Sequence, residues 1–254
     1  MNIIEIQGLT KDYVNNGFSV PAVRGINVQV GAGEFTAIAG PSGSGKTTLL
    51  NIIGGLDRPT AGLVRVGGSD LSGMDARQLS DLRLRKIGFI FQAYNLIPVL
   101  SAVENVEYVL LLQGVSRVER RRRSEAILRE VGLEKEINRL PREMSGGQQQ
   151  RVAVARAIVS EPDIVLADEP TANLDQKTGE SLLDLMHGLN RSKGITFLFS
   201  THDPMVMERA DRLINLKDGR ILSDEVRGKK RAGTKTAKQA KTTKASRGKT
   251  AGRR

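Results

Sequence analysis

The chain has 254 residues, enough for one large domain or two small ones with a substantial core, and it contains neither Cys nor Trp. The lack of Cys excludes disulfides and thiolate metal sites. No run approaches 18 consecutive apolar residues, and residues 1–8 lack a basic segment followed by an apolar one. The sequence therefore predicts neither a transmembrane span nor a signal peptide.

The net charge of +11 is concentrated at the C-terminal end of the chain. Residues 227–254 carry 12 of the 39 Lys and Arg residues and no Asp or Glu, so residues 1–226 hold 27 basic against 28 acidic residues. Ala is the only apolar residue type in 227–254, which cannot bury enough surface to offset the entropy lost on ordering. We therefore expect a folded, nearly neutral unit at 1–226 and a disordered basic tail at 227–254.

Apolar periodicity predicts strands and helices that alternate along the folded unit. Alternating apolar residues predict strands at 3–7 and 26–30, and this pair suggests a small antiparallel sheet. Short apolar runs predict further strands at 34–39, 87–92, 163–167, 195–200 and 212–216. Helical patterns cover 47–54, 103–113, 117–131, 147–159, 182–189 and 205–209. This alternation favours an α/β fold with a parallel sheet.

A glycine-rich segment between the third strand and the first helix carries the clearest motif. Residues 40–47 read GPSGSGKT and fit the pattern G-x-x-x-x-G-K-[ST]. Glycines at these positions let consecutive backbone N–H groups face phosphate oxygens, and the helix N-terminus adds partial positive charge. The motif predicts that Lys46 reaches the β- and γ-phosphates and that the Thr47 hydroxyl binds Mg²⁺. The expected nucleotide contacts here are Gly40, Ser42, Gly43, Ser44, Gly45, Lys46, Thr47 and Thr48.

Two carboxylates end the apolar strand at 163–167. Asp168, at the C-terminal edge of the strand, can hold the coordination shell of Mg²⁺. Glu169, one residue further, can polarise an attacking water as a general base. Acidic residues are also common at solvated strand ends, so the pair alone does not indicate a site. Together with the phosphate loop, it predicts a role in hydrolysis.

A third motif precedes this strand and opens a helix. Residues 144–151 read MSGGQQQR, and here the sequence resembles the ABC ATPase family, whose signature is L-S-G-G-Q. Met144 replaces Leu at an apolar packing position. A hydroxyl, two glycines and a helix N-terminus also form an anion site on physical grounds. The resemblance implies that the signature contacts ATP held by a second copy of the chain, through Ser145, Gly146, Gly147 and Gln148.

The resemblance extends to other elements of the family. Gln92 matches the Q-loop glutamine, which senses Mg²⁺ and water, and residues 172–175 match the D-loop that couples the two sites. His202 matches the switch histidine, which hydrogen-bonds the γ-phosphate and orients the base. Tyr13 matches the aromatic residue that stacks on adenine, although tyrosines more often serve in packing. The implied catalytic residues are Glu169, His202 and Gln92, and the implied metal contacts are Thr47, Gln92 and Asp168.

The resemblance covers nearly all of 1–226 and implies a fold and a mode of action. The family fold is a P-loop NTPase core with a parallel sheet, a small antiparallel β-subdomain and a helical subdomain, here at about 95–155. Two copies close on ATP and Mg²⁺ as a nucleotide-sandwich dimer, and closing and reopening drive integral membrane permease subunits. The implied location is cytoplasmic, peripheral on the inner face of the cell membrane.

The permease contact of the family points to residues 93–98 and 103–113 of this chain. Tyr94 and Leu96 either anchor the partner there or pack locally. Three segments, 88–96, 145–151 and 166–175, look most like the lipoprotein-releasing and macrolide-efflux group of bacterial transporters.

The sequence leaves alternative functions open. One is an ATPase of the FtsE type, which drives a membrane signalling complex without transport. Another is a soluble ABC ATPase of translation or DNA repair, but those usually carry two cassettes or one split by a coiled coil, and this chain has one unbroken cassette. The basic tail could bind anionic lipid or nucleic acid, or serve only as a solubilising extension. The substrate, the direction of transport and the permease are not encoded in this chain.

Overall fold

The computed structural model describes residues 1–15 and 18–227, so the predicted disordered tail lies outside the described residues except for Arg227. In chain order, the strands are β1 (Asn2–Asn15), β2 (Phe18–Gly31), β3 (Phe35–Ala39), β4 (Ala61–Val66), β5 (Ser69–Asp70), β6 (Ile87–Ile90), β7 (Ile164–Asp168), β8 (Thr196–Thr201), β9 (Arg212–Lys217) and β10 (Arg220–Val226). The helices are α1 (Lys46–Ile53), α2 (Ala76–Lys86), α3 (Ala102–Leu112), α4 (Arg117–Glu130), α5 (Gly146–Ile158), α6 (Gln176–Lys193) and α7 (Pro204–Arg209).

The larger sheet places three strand ends at one edge. Its order is β10-β9-β3-β8-β7-β6, and every neighbouring pair is parallel except β9 and β10. Ala39 pairs with Thr201, and Asp168 pairs with Ser200. The carboxyl ends of β3, β7 and β8 therefore meet, and the loops that follow them are brought together at this edge.

The smaller sheet is antiparallel, with order β2-β1-β4-β5. Ile4 pairs with Val30 and Ile6 with Val28, which confirms the predicted pairing of the first two strands. Their side chains are buried against α1 and the larger sheet, in a cluster that also contains Leu49 and Ile53. The antiparallel sheet thus covers one face of the parallel sheet.

The strands of the parallel sheet are buried on both faces, which explains their unbroken apolar runs. In β8, Phe197 and Phe199 join the core formed with the helical segments, whereas Leu198 joins the core under the antiparallel sheet. In β7, Val165 and Leu166 divide between the two cores in the same way. Period-2 alternation therefore builds two cores from one sheet.

The predicted α/β fold is confirmed, and the differences from the sequence prediction have local causes. Helix α6 begins six residues before its predicted start because Asp175 caps a polar first turn, accepting a hydrogen bond from the Thr178 N–H at 3.0 Å. Apolar periodicity also missed β4, β5, α2 and β10, in which exposed residues outnumber buried ones or interrupt the apolar pattern.

Candidate active site

The phosphate loop links β3 to α1 and needs glycine at two positions where the backbone approaches its neighbours. A Cβ atom on Gly40 would overlap the carbonyl oxygen of Leu216, and one on Gly45 would overlap that of Ala22. Gly45 also has a φ of 99°, in the left-handed region that side chains disfavour. Packing therefore requires glycine at positions 40 and 45 of the motif.

Lys46 and the start of α1 give this loop its positive charge. Lys46 is 7% exposed, and its Nζ donates to the carbonyls of Gly40 at 2.8 Å and Pro41 at 3.0 Å. Together with the partial charge of the helix N-terminus, the ammonium group makes the loop an anion site. A cavity of about 260 Å³ opens beside it, lined by Ala22, Glu169, Ser42, Gly43, Gly45, Lys46, Thr47 and Thr48. Among the described residues, the predicted contacts Gly40 and Ser44 do not line this cavity, and Ser44 is only 2% exposed.

Thr47 and Asp168 form a pair suited to Mg²⁺. The Thr47 hydroxyl lies 3.2 Å from both carboxylate oxygens of Asp168, across the edge where β3 and β7 end. A hydroxyl and a carboxylate are hard oxygen ligands, the kind that Mg²⁺ selects. The donor set therefore fits the ion that the sequence predicts at these two residues.

Glu169 and His202 form a second pair beside the same cavity. Nδ1 of His202 lies 2.7 Å from Oε1 of Glu169, a hydrogen-bonding distance. Oε2 of Glu169 accepts a hydrogen bond from the Thr201 hydroxyl at 3.1 Å. The sequence interpretation missed Thr201, which has no motif position of its own and is found only through this contact.

The backbone of Glu169 is held in a left-handed conformation. Its φ is 46°, and its N–H donates to the Ser200 carbonyl at 2.9 Å. A non-glycine residue in this region is strained and persists when its surroundings fix it, as here at the end of β7. The turn directs the Glu169 carboxylate towards the cavity instead of back along the sheet.

The signature motif lies apart from this cavity, at the start of α5. Ser145 is the N-cap residue, and it forms a capping box with Gln148: the Gln148 N–H donates to Oγ at 3.3 Å, and the Ser145 N–H donates to Oε1 at 2.9 Å. A Cβ atom on Gly147 would overlap the Thr178 methyl group, and one on Gly146 would lie 2.8 Å from the Tyr94 hydroxyl. Within the part of the chain that the structure describes, these four signature residues do not line the phosphate-loop cavity.

Gln92 is not brought into the group around Thr47. It follows β6, and its backbone carbonyl accepts a hydrogen bond from the Asn173 amide at 2.8 Å. Across the described ranges 1–15 and 18–227, its side chain makes no hydrogen bond to Thr47 or Asp168. This hydrogen bond, from the side-chain amide of Asn173 to the backbone carbonyl of Gln92, instead joins the Q-loop to the D-loop.

Tyr13 stands at the end of β1, 42% exposed. Its hydroxyl donates to Oδ2 of Asp57 at 2.7 Å, and Nζ of Lys11 lies 4.8 Å from the centre of its ring. Sequence interpretation missed Lys11 and Asp57, because single charged residues 46 positions apart carry no periodic signal.

Residues 23–172, more than half of the chain, match the family model described as "ABC transporter". The chain belongs to the ABC transporter family. An ABC cassette of this kind binds and hydrolyses ATP. No helix among residues 1–15 and 18–227 is long and apolar enough to cross a bilayer.

Relatives of this ABC protein include export components. It is 48% identical over 222 residues to the lipoprotein-releasing system ATP-binding protein LolD of Anaeromyxobacter dehalogenans, an alignment that covers 87% of this chain and 93% of LolD. It is 47% identical to the macrolide export ATP-binding/permease protein MacB of Syntrophobacter fumaroxidans, but spans only 31% of that longer protein.

Among solved structures, the ABC protein is similar to the ATP-binding cassette MJ0796, described as a dimer in a post-hydrolysis state bound to ADP and Pi. The identity is 44% and the TM-score 0.82, over 89% of this chain and 99% of the cassette. The P-loop NTPase fold of an ABC cassette is thereby confirmed.

Proposed function

We propose that this chain binds and hydrolyses ATP as one half of a dimer and thereby drives a separate membrane permease of the lipoprotein-releasing or macrolide-export type. One observation supports the proposed dimer. Among the described residues, Glu169 lines the phosphate-loop cavity, whereas the signature residues of the same chain do not. A second copy can supply its signature to this cavity, which agrees with the dimeric cassette of the similar structure.

The residues in and beside the cavity have separate roles in hydrolysis. Lys46 binds the β- and γ-phosphates, and Thr47 with Asp168 would hold Mg²⁺. When bound, Mg²⁺ supplies positive charge that stabilises the phosphate oxygens. Water attacks the γ-phosphorus, the bond from this phosphorus to the β–γ bridging oxygen breaks, and ADP and inorganic phosphate are the products. Glu169 takes the proton of the attacking water, and His202 orients the Glu169 carboxylate.

Three further contacts complete the proposed site. Tyr13 stacks on the adenine base, and the partner copy contributes its signature serine to the γ-phosphate. The Gln92 side chain would complete the metal ligands in the closed dimer. Residues 1–226 act as one ATP-binding unit with a helical subdomain at about 95–155.

A groove between the helical segments and the parallel sheet is the proposed permease contact. It has a volume of about 560 Å³ and is lined mostly by apolar side chains, among them Leu84, Phe89, Phe91, Val109 and Leu112. Leu96 packs against the core instead, which favours local packing over a role as an anchor. Docking of the permease here places the chain on the cytoplasmic face of the membrane.

A Glu169→Gln variant tests the proposed catalytic role. We expect it to bind ATP, to lose turnover by about 100-fold or more, and to elute as a dimer with ATP and Mg²⁺ in size-exclusion chromatography with light scattering. The same variant without nucleotide is the control, and we expect it to elute as a monomer. Hydrolysis at the parental rate would refute the role of Glu169.

Two exposed apolar residues allow a matched test of the permease groove. Leu112 is 57% exposed and lines the groove, whereas Val118 is 82% exposed and does not line it. Leu112→Glu should abolish co-purification of the permease from detergent-solubilised membranes, and Val118→Glu should preserve it. Equal recovery with both variants would contradict the assignment of this groove.

A further inference from the structure

Two charged side chains hold Tyr13 from two directions. Its hydroxyl donates to Oδ2 of Asp57 at 2.7 Å, and Nζ of Lys11 lies 2.7 Å from Oδ1 of the same carboxylate. Nζ also donates to the Arg58 carbonyl at 2.8 Å and lies over the Tyr13 ring, 4.8 Å from its centre. Both carboxylate oxygens of Asp57 are therefore bound by residues of β1.

Asp57 connects this group to the helix that follows the phosphate loop. It lies just beyond α1, where its backbone N–H donates to the Asn51 carbonyl at 3.2 Å. Close by, the Asp12 N–H donates to the Thr60 hydroxyl at 2.9 Å. The Lys11 and Asp57 side chains are 13% and 28% exposed, so solvent screens this ion pair less than one on the open surface.

The ionisation of the group agrees with these contacts. Against the effect of burial, hydrogen bonds from Lys11 and Tyr13 lower the pKa of the Asp57 carboxyl. Partial burial and the hydrogen bond to Asp57 raise the pKa of the Tyr13 hydroxyl. At neutral pH the phenol therefore remains a donor and the carboxylate an acceptor.

We propose that Asp57 and Lys11 are positioning residues that hold the Tyr13 ring for stacking against the nucleotide base. The inference rests on the proposed base contact of Tyr13. A half-exposed ring loses side-chain entropy when a ligand orders it, and fixing it beforehand removes that cost from binding. The hydroxyl bond sets the position of the ring, and the Lys11 cation covers one of its faces, so the base stacks on the other.

The proposal predicts different effects on the binding of the base and on the binding of the phosphates. Within the described residues, the side chains of Asp57 and Lys11 make no hydrogen bond to the phosphate loop, although the Tyr13 hydroxyl also interacts with the Thr48 side chain. We therefore expect Asp57 and Lys11 to affect ligands that carry a base more strongly than ligands that carry only phosphates. ADP and pyrophosphate are suitable probes, because both bind a phosphate loop without hydrolysis and only ADP contains adenine. ADP is titrated calorimetrically with Mg²⁺ present, and pyrophosphate is measured by its competition with ADP.

The variants are Asp57→Ala, Lys11→Met and Tyr13→Phe, with Glu5→Gln as the matched control. Glu5 pairs with Arg65 in the same antiparallel sheet, away from Tyr13. We expect each of the first three to weaken ADP binding by about threefold to tenfold, the effect of one hydrogen bond or cation–π contact. Pyrophosphate binding should stay within about twofold of the parent, and Glu5→Gln should change neither ligand.

The double variant Asp57→Ala/Tyr13→Phe tests whether Asp57 acts through the tyrosine hydroxyl. If it does, the double variant binds ADP no more weakly than the single variant that has the lower affinity for ADP. Multiplication of the two effects, an equal loss of pyrophosphate affinity, or unchanged ADP affinity in Asp57→Ala would overturn the proposal. Tyr13→Phe removes only one hydroxyl, so it keeps the test valid if Asp57→Ala fails to fold.

Tyr13→Ala separates this inference from the proposed function. It should weaken ADP binding by about fivefold to 140-fold, the change that corresponds to the loss of one base–aromatic stacking contact. If Tyr13→Ala leaves ADP affinity unchanged, the base contact itself is wrong. If Tyr13→Ala weakens ADP binding but Asp57→Ala does not, only the positioning role is wrong.

Discussion

Nδ1 of His202 lies 2.7 Å from Oε1 of Glu169, although 33 residues separate them in sequence. The Glu169 side chain is 15% exposed, whereas that of His202 is 64% exposed. An exposed imidazole thus holds a shielded carboxylate at the edge of the phosphate-loop cavity, an arrangement suited to orienting a general base.

His202→Ala should therefore lower kcat for ATP hydrolysis by about 100-fold or more while leaving ATP affinity nearly unchanged. Because the imidazole is exposed, the free energy of unfolding should change by less than about 0.5 kcal/mol. Steady-state kinetics and urea denaturation measure the two effects. A kcat close to that of the parent would show that His202 does not orient Glu169.

The pair Thr47 and Asp168 leads to a prediction about Mg²⁺. Asp168→Asn should bind ATP as the parent does in EDTA but lose the gain in affinity that Mg²⁺ gives, because an amide is a weaker ligand for a hard cation than a carboxylate. Asp163→Asn is the control: Asp163 precedes the same strand at its other end and pairs with Lys86 at 3.0 Å. If both variants respond to Mg²⁺ as the parent does, Asp168 is not a ligand.

Two glycines near the end of α6 should respond oppositely to alanine. A Cβ atom on Gly188 would meet nothing within 4 Å, so Gly188→Ala should stabilise the protein by about 0.5–1 kcal/mol through helix propensity. Gly194 ends the helix with a φ of 68°, so Gly194→Ala should destabilise it by about 1 kcal/mol. Chemical denaturation measures both changes, and a shift of the same sign in both variants would contradict this reading of the backbone.

The conformation of the Q-loop depends on a residue of the signature helix. Tyr94 and Asn95 have φ values of 58° and 50°, and the guanidinium of Arg156 in α5 donates to both of their carbonyls. Arg156→Met should speed amide hydrogen exchange in residues 94–97 and destabilise the protein by about 1–3 kcal/mol. Adding Asn95→Gly should recover part of that loss, since glycine adopts a positive φ without strain. Unchanged amide exchange in Arg156→Met would show that Arg156 does not restrain the Q-loop backbone.

The sequence predicts the fold and the phosphate loop well because both depend on local patterns. The strand ends that carry Asp168 and His202 follow from apolar runs, and their meeting at one edge follows from parallel pairing. Met144 replaces the leucine of the signature and is buried, 6% exposed, as its apolar character predicts.

Contacts between distant polar residues could not be predicted in the same way. Lys11 and Asp57 are single charges, and their ion pair depends on how the turn after α1 meets β1. Helix α2 was missed because its mean character is polar, yet the capping box of Asp75 and Gln78 was visible in the sequence. Capping residues can thus locate a surface helix where apolar periodicity is weak.

The most direct test of the central claim asks whether the Ser145 signature acts on nucleotide held by a second copy. In the Glu169→Gln background, Ser145→Glu places a carboxylate against the phosphates of the partner's ATP. Ser116→Glu is the control, since Ser116 is the N-cap residue of α4 and lies outside the signature. We predict that Glu169→Gln/Ser145→Glu binds ATP yet remains a monomer by light scattering, and that Glu169→Gln/Ser116→Glu forms the dimer. An ATP-dependent dimer of the Ser145 variant would contradict the composite site.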